Sequence, residues 1–183
     1  DGVINASDKV DLGNGLPKYT FGFNFSLAWK GFDLSANFTG AAGFQIAQSC
    51  RDPSSSQANY SRRILKRWTG EGTSNEIPRV TYGDVGNWLF SDLYLQDGDY
   101  IRLQNLTMGY DFKKLISWKG LSKMRLYFQV QNLFTLTKYD GMDPEIGSFN
   151  GTDGNSSDSW VSGVDMGYYP HPRTFIVGLN LAF

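Results

Sequence analysis

The stretch Arg173-Thr-Phe-Ile-Val-Gly-Leu-Asn-Leu-Ala-Phe183 decides how the rest of the chain is read. Phe175, Val177, Leu179, Leu181 and Phe183 share one parity. Thr174, Gly178, Asn180 and Ala182 share the other, with Ile176 as the exception. Successive side chains of a strand point to opposite faces, so this is a strand with one oily side and one small or polar side. Such a strand, ending on an aromatic residue, is uncommon at the surface of a water-soluble protein. It suits an outer-membrane β-barrel, where pairing of the last strand with the first leaves no open edge.

The same alternation recurs upstream. In 19–29 the odd positions are Tyr19, Phe21, Phe23, Phe25, Leu27 and Trp29, against Thr20, Gly22, Asn24, Ser26 and Ala28. A helix would scatter these six large residues around its circumference. Lys30-Gly31 reads as a tight turn into a second strand, 32–44. There Phe32, Leu34, Ala36, Phe38, Ala42 and Phe44 share a face, and Gly40 and Gly43 mark bends. A third strand, 100–112, changes phase: Ile101 and Leu103 are odd, whereas Leu106, Met108, Tyr110 and Phe112 are even. A bulge near Gln104-Asn105 restores one oily face and turns Arg102 away from it. The fourth strand, 124–137, puts Met124, Leu126, Phe128, Val130, Phe134 and Leu136 on one side, with an irregularity at Asn132-Leu133. The fifth is 173–183.

Connections alternate between short (Lys30-Gly31 and about 113–123) and long (45–98 and 138–172), as the two rims of a transmembrane barrel do. Asp33, Asp111 and Arg125 all fall on the polar parity. An arginine facing lipid at mid-depth would cost about 2–4 kcal/mol, which gives the avoidance a physical reason. The expected fold class is therefore all-β, an antiparallel transmembrane β-barrel segment. Five strands cannot close a barrel, for which about eight is the minimum, so 1–183 is expected to be part of a longer one.

Composition agrees and narrows the function classes. The chain is 15% aromatic, with 13 Phe, 10 Tyr and 21 Gly. No run approaches the roughly 18 apolar residues of a membrane helix. A net charge of −1 gives a nucleic-acid partner no electrostatic support. Cys50 stands alone, so no disulfide forms within the chain. The chain starts at Asp1 without a charged and then apolar leader, so a mature, cleaved or fragmentary chain is expected. The same composition also fits a soluble β-sandwich, and a soluble all-β carbohydrate-binding module is the alternative reading. The loop asymmetry argues against it.

Four stretches resemble one family. Asp97-Gly-Asp-Tyr-Ile-Arg-Leu-Gln-Asn-Leu-Thr-Met-Gly-Tyr110 is similar to the "DGDYLRLKNLTLGY" signature of SusC/RagA-type TonB-dependent outer-membrane transporters. Gln131-Asn-Leu-Phe-Thr-Leu-Thr-Lys-Tyr139 with Gly141-Met-Asp-Pro-Glu145 resembles "QNLFTFTKYKGYDPE". Tyr169-Pro-His-Pro-Arg-Thr-Phe175 with Gly178-Leu-Asn-Leu-Ala-Phe183 resembles the ending "YPxPRTFTFGLNLTF", His171 being a departure within it. Arg67-Trp-Thr69 and Ile77-Pro-Arg79 match a recurring "RWT…PR" loop, and Gly13-Asn14 and Pro17–Gly22 fit as well.

The resemblance implies a plugged barrel of about 22 strands in the bacterial outer membrane, of which this chain holds the C-terminal five. It implies nutrient uptake, of glycans or oligopeptides, with a SusD-like surface lipoprotein as partner. Energy would come from the TonB complex, engaged through an N-terminal part absent here. The remainder of the same barrel and membrane lipid complete the implied partners. Phe183 would belong to the signal read by the barrel-assembly machinery, and the loops 45–98 and 138–172 would lie outside the cell. The substrate itself is not named by any of these residues.

Candidate chemistry is sparse. His171 between Pro170 and Pro172 reads as a rim residue in a rigid turn rather than part of a Ser-His-Asp triad. Asp143 and Glu145 flank Pro144 and read as a structural turn rather than a glycosidase pair. Asn150, Asp153, Asn155 and Asp158 offer hard oxygen ligands that would suit calcium, but no Glu closes a twelve-residue loop, and a mobile loop tip is the favoured reading. A short helix is expected at 59–68, its Arg62, Arg63, Lys66 and Arg67 read as a solvated face. Asn37-Phe-Thr39 reads as strand rather than a glycosylation acceptor. The better candidates for substrate or partner contact are loop aromatics: Trp68, Tyr82, Trp88, Trp160, Tyr168 and Tyr169. Flat rings stack on sugars or hold peptide side chains, and they serve equally as a loop's own small core or as an interfacial belt. No catalytic residue, cofactor or metal is expected, and the chain is read as a transporter part rather than an enzyme.

Overall fold

The computed structural model describes residues 5–48, 62–80, 90–116, 118–146 and 163–183. Among the described residues eight strands run in chain order: β1 (Tyr19–Trp29), β2 (Phe32–Ala42), β3 (Gln45–Gln48), β4 (Leu95–Asp97), β5 (Tyr100–Asp111), β6 (Lys123–Thr137), β7 (Val164–Asp165) and β8 (Thr174–Ala182). They form two compact units. One holds Pro17–Gly43, Gly98–Pro144 and Tyr169–Phe183; the other holds Asp1–Leu16, Phe44–Asp97 and Glu145–Tyr168.

The first unit is a five-stranded antiparallel sheet in the order β1-β2-β5-β6-β8. Its register carries the oily parity of one strand onto that of the next. Trp29, Phe32, Tyr110, Leu126 and Leu179 stand in one cross-strand row; Leu27, Leu34, Met108, Phe128 and Val177 form the next. The opposite face has matching polar rows, such as Ser26, Ser35, Thr107 and Gln129, or Asn24, Asn37, Asn105 and Gln131. A slip of one residue anywhere would exchange the two faces, so each row reinforces the others. The oily face is uncovered: Phe23 is 60% exposed, Phe175 60% and Val177 72%. Phe21, Phe128 and Leu179 are exposed on that same face rather than gathered into a closed interior.

The turns and irregularities have local causes. Lys30 (φ 49°) and Gly31 (φ 95°) both take positive φ, the two-residue geometry whose twist matches a hairpin. In β5 the register steps from Leu103 to Asn105, which opposes Phe134 and then Gln131 of β6. Gln104 and the pair Asn132-Leu133 are the unpaired residues, and Asn132 sits at φ 51°. Asparagine tolerates that conformation through its short polar side chain. Its Nδ2 donates to the carbonyl of Pro172 (3.1 Å). The bulge keeps Leu103 in the oily row with Phe38 while Leu106 rejoins it on the far side.

The structure departs from the parity reading at several points. The second strand ends at Ala42, not Phe44, because Gly43 turns the chain (φ 78°) and its N–H donates to Asp99 Oδ1 (2.7 Å). Phe44 is buried in the other unit. Phe112 opens a 3-10 turn rather than ending β5. Residues 45–98 and 138–172 are not bare loops, since they contribute β3, β4 and β7 to a small second sheet in the order β4-β3-β7. Its core is Ile46, fully buried, with Phe44 and Ala47. Of the helix expected at 59–68, a 3-10 segment at Arg62–Lys66 is present, and 59–61 lie outside the described residues.

Candidate functional site

The polar face of the five-stranded sheet carries two arginine centres. The first spans three strands. Arg125 on β6 reaches across β5 to Asp33 on β2, donating from Nε to Oδ1 (2.8 Å) and from Nη2 to Oδ2 (2.5 Å). Two parallel bonds to one carboxylate fix the guanidinium plane. The path exists because Gly109 lies between them. A Cβ there would come within 2.6 Å of the guanidinium. The Arg125 guanidinium also lies 5.0 Å from the centre of the Tyr127 ring, and that ring covers Gly178 on β8. A polar ladder thus crosses the sheet on glycines.

The second centre gathers residues distant in sequence. Arg102 on β5 donates from Nε to Thr135 Oγ1 on β6 (2.9 Å) and from Nη2 to Asp143 Oδ1. Its Nη1 lies 3.0 Å from His171 Nδ1. Asp143 Oδ2 accepts from the His171 backbone N–H (3.1 Å) and lies 3.0 Å from His171 Nδ1. Nδ1 accepts from Arg102 when it bears no proton and donates to Asp143 when it does, so the imidazole tautomer selects one of two partners. Arg102 and Asp143 are almost fully buried and His171 is half exposed. Nearby, Thr137 Oγ1 donates to the Asp99 carbonyl (2.8 Å), and the buried Tyr139 ring occupies the space a Cβ on Gly141 would need.

Arg102, Thr135, Asp143 and His171 come from the three longest of the four motif stretches read in the sequence. Their spacing is explained by this convergence. Asp143 is the acceptor that allows an arginine to be buried, rather than a turn residue alone, and His171 is its second donor rather than a passive rim residue. Sequence reasoning placed Arg102 away from lipid but found no partner for it. The signal that pointed to one was a charged residue inside a strand.

In the second unit, Gln45 of β3 packs its side chain against Gly13, and its N–H donates to the Asn14 carbonyl (2.9 Å). Gly163 lies against Gly15 closely enough that a Cβ would meet backbone at 2.5 Å. A cavity of about 170 Å³ opens between Leu12, Asn14, Ala47, Phe90, Leu95 and Val164. Among the described residues Gln45 Oε1 is buried there without a hydrogen-bond partner. The Tyr94 ring stacks on Phe90 at 6.3 Å, and burial pushes its phenol pKa up.

Of the aromatic candidates, Trp68 and Tyr168 belong to this second unit and Tyr169 to the sheet unit. The Trp68 N–H donates to the Ile77 carbonyl (2.8 Å), and the Tyr168 N–H to Asp165 Oδ1 (3.1 Å). Tyr169 is 86% exposed. No ring contact joins these three among the described residues. Tyr82, Trp88 and Trp160 lie outside the described residues, as do Cys50 and the calcium candidates Asn150, Asp153, Asn155 and Asp158. Among the described residues no group of three or more His, Cys, Asp or Glu is placed to hold a metal ion. Phe183 is exposed, its ring edge-on to Trp118 at 6.5 Å.

No family model matches the chain. Three relatives and neighbours place it nonetheless. The TonB-dependent receptor P3 of Formosa agariphila is 35% identical over 185 residues, which cover 100% of this chain and 18% of that protein. The TonB-dependent receptor SusC of Bacteroides thetaiotaomicron is 28% identical over 187 residues, again 100% of this chain and 17% of the relative. Among solved structures, the RagAB peptide transporter superposes with a TM-score of 0.75 at 24% identity, covering 100% of this chain and 19% of that one. The chain thus spans less than a fifth of the length of the curated relatives it matches.

Proposed function

We propose, from the premise that this chain has the sequence and fold of a barrel segment of the TonB-dependent outer-membrane receptors that include SusC and RagA, that it forms part of the wall of an outer-membrane nutrient importer. The importer takes up glycans or oligopeptides and works with a SusD-like surface lipoprotein. The TonB complex drives it through a part of the receptor outside this chain. The observation that carries the reading is the two-faced sheet: unbroken oily rows left open on one side, and on the other a polar ladder with its charges paired. That division fits a wall between acyl chains and a wet lumen. A soluble carbohydrate-binding module would leave the oily face without cover, at a cost of roughly 25 cal/mol for each Å².

In this reading 45–98 and 138–172 lie on the outer side, where Trp68, Tyr168 and Tyr169, with Tyr82, Trp88 and Trp160, contact substrate or the lipoprotein. Phe183 belongs to the assembly signal. The arginine centres hold the wall and its outer connections in place, and transport needs no covalent chemistry, so the chain is not an enzyme. The likeness to a peptide transporter supports the oligopeptide arm, and the glycan arm rests on the motif resemblance alone. The test is a deletion of the full receptor in its native host, with uptake of fluorescent oligopeptides and of labelled glycans measured separately, and purification of the tagged receptor from detergent extract. Loss of one uptake, with a lipoprotein co-purifying, is expected. Unchanged uptake of both classes would sink the proposal.

A further inference from the structure

We propose that the short-turn end of the sheet binds the headgroups of anionic phospholipids, whose acyl chains lie on the oily face. The inference rests on the membrane-spanning reading of that face. The aromatic residues at this end are Trp29, Phe32, Tyr110, Phe112, Trp118 and Phe183. Trp29 is 65% exposed and Trp118 61%. The two turns make one continuous rim, because the Asp111 N–H donates to the Gly31 carbonyl (2.8 Å). Tryptophan and tyrosine concentrate at the headgroup level of a bilayer, where one edge of the ring is apolar and the other wet.

Lysines stand among these rings. Lys30 Nζ lies 4.9 Å from the centre of the Trp29 ring. Lys113 Nζ donates to the main-chain carbonyl of Trp118 (2.7 Å), the residue whose ring meets Phe183. Lys119 follows Trp118 and is exposed. Residues 112–123 carry four lysines and no carboxylate, so nothing within the connection neutralises them. Two acids of the adjoining strands are already hydrogen-bonded. Asp111 Oδ1 accepts from the backbone N–H groups of Lys113 (3.0 Å) and Met124 (3.3 Å), and Asp33 is held by Arg125 on the polar face. Lys123, paired with Ala182, falls on the polar parity and is left out of the lipid-facing group. At the other end of the sheet the balance reverses: 138–144 carry Asp140 and Asp143 against Lys138.

An ammonium fixed at headgroup depth meets phosphate. A headgroup with net negative charge gains from it, whereas a zwitterionic one carries its own cation and gains little. A lysine stem lies readily along apolar surface while its head stays in the polar layer. The occupant this arrangement fits is therefore a phosphodiester headgroup of the phosphatidylglycerol type.

The full receptor, reconstituted in phosphatidylcholine vesicles, tests this by quenching of indole fluorescence with brominated phosphatidylglycerol or brominated phosphatidylcholine. Subtracting the signal of a Trp118→Phe receptor isolates the Trp118 contribution. Half-quenching is expected at an about fivefold lower mole fraction of the anionic lipid. Lys113→Gln with Lys119→Gln is expected to abolish that preference while heat-modifiable gel mobility shows the barrel still folded. Equal quenching by both lipids in the unmodified receptor, or an unchanged preference in the lysine variant, overturns the headgroup proposal alone. Quenching by neither lipid overturns the membrane reading on which it rests.

Discussion

Arg102 and Arg125 stand on the same polar face, and each holds an aspartate, but in unlike surroundings. The side chains of Arg102 and Asp143 are 3% and 6% exposed; those of Arg125 and Asp33 are 19% and 36% exposed. Arg125 binds a carboxylate from a strand two places away and so ties strand to strand. Arg102 binds one from the connection after β6 and, through it, the backbone before β8, so it ties two connections to the sheet. Identical chemistry thus has different energetic weight. A buried charge that loses its partner keeps the full desolvation penalty, whereas a half-wet one recovers water.

The contrast can be broken at its strong end first. Asp143→Ala is expected to cost about 3–5 kcal/mol by stranding Arg102, measured as denaturant unfolding of the full receptor in detergent. Replacing both partners, Arg102→Met with Asp143→Leu, is expected to recover most of that loss, and failure to recover would mean the centre does more than satisfy its own charge. A third arginine on the wrong face sharpens the point: Phe128→Arg is expected to cost about 2–4 kcal/mol in the same assay, because no carboxylate and no water meet it there. Gly109→Val closes the path that Arg125 takes over β5, with an expected loss of about 1–3 kcal/mol, and Arg125→Ala should make that substitution milder. Asp33→Ala is expected to cost about 1 kcal/mol or less, and a cost as large as that of Asp143→Ala would erase the distinction. His171→Ala, which removes a half-exposed partner, is expected to shift stability by only about 0.5 kcal/mol in that same titration.

Much of the sheet was legible because a two-faced strand repeats with period two, interrupted at Ile176, Gln104 and Asn132-Leu133. Tyr19 to Trp29 read as a strand since every large residue fell on one parity, and the Lys30-Gly31 turn followed directly. The phase change between Leu103 and Leu106 announced the bulge at Gln104, and Asn132 announced the facing irregularity. Strands β3, β4 and β7 were not legible, since two to four residues are too few to establish a period. Their pairing joins Gln45 to Asp97 and Ala47 to Val164, contacts that local pattern does not encode. The Arg102 centre was half legible. Parity put the arginine on the wet side, but Asp143 and His171 lie in segments without periodicity, so nothing local connected them to it. The aromatic candidates were chosen for ring chemistry, which is the same for a stacking platform and for a loop core. Trp68, with its main-chain bond to Ile77 and its partly open ring, serves both.

The register also sets an order of assembly. β1 with β2, and β5 with β6, are ribbons closed by nearby turns, whereas β2 meets β5 only after the chain from Ala42 to Tyr100 has looped back. Closing the long loop costs more entropy and is slower, so the two ribbons are expected to form before they join. A ribbon on its own would expose a greasy flank and two bare edges to water. Half-assembled ribbons of this kind are expected to aggregate unless they are shielded until the sheet is joined.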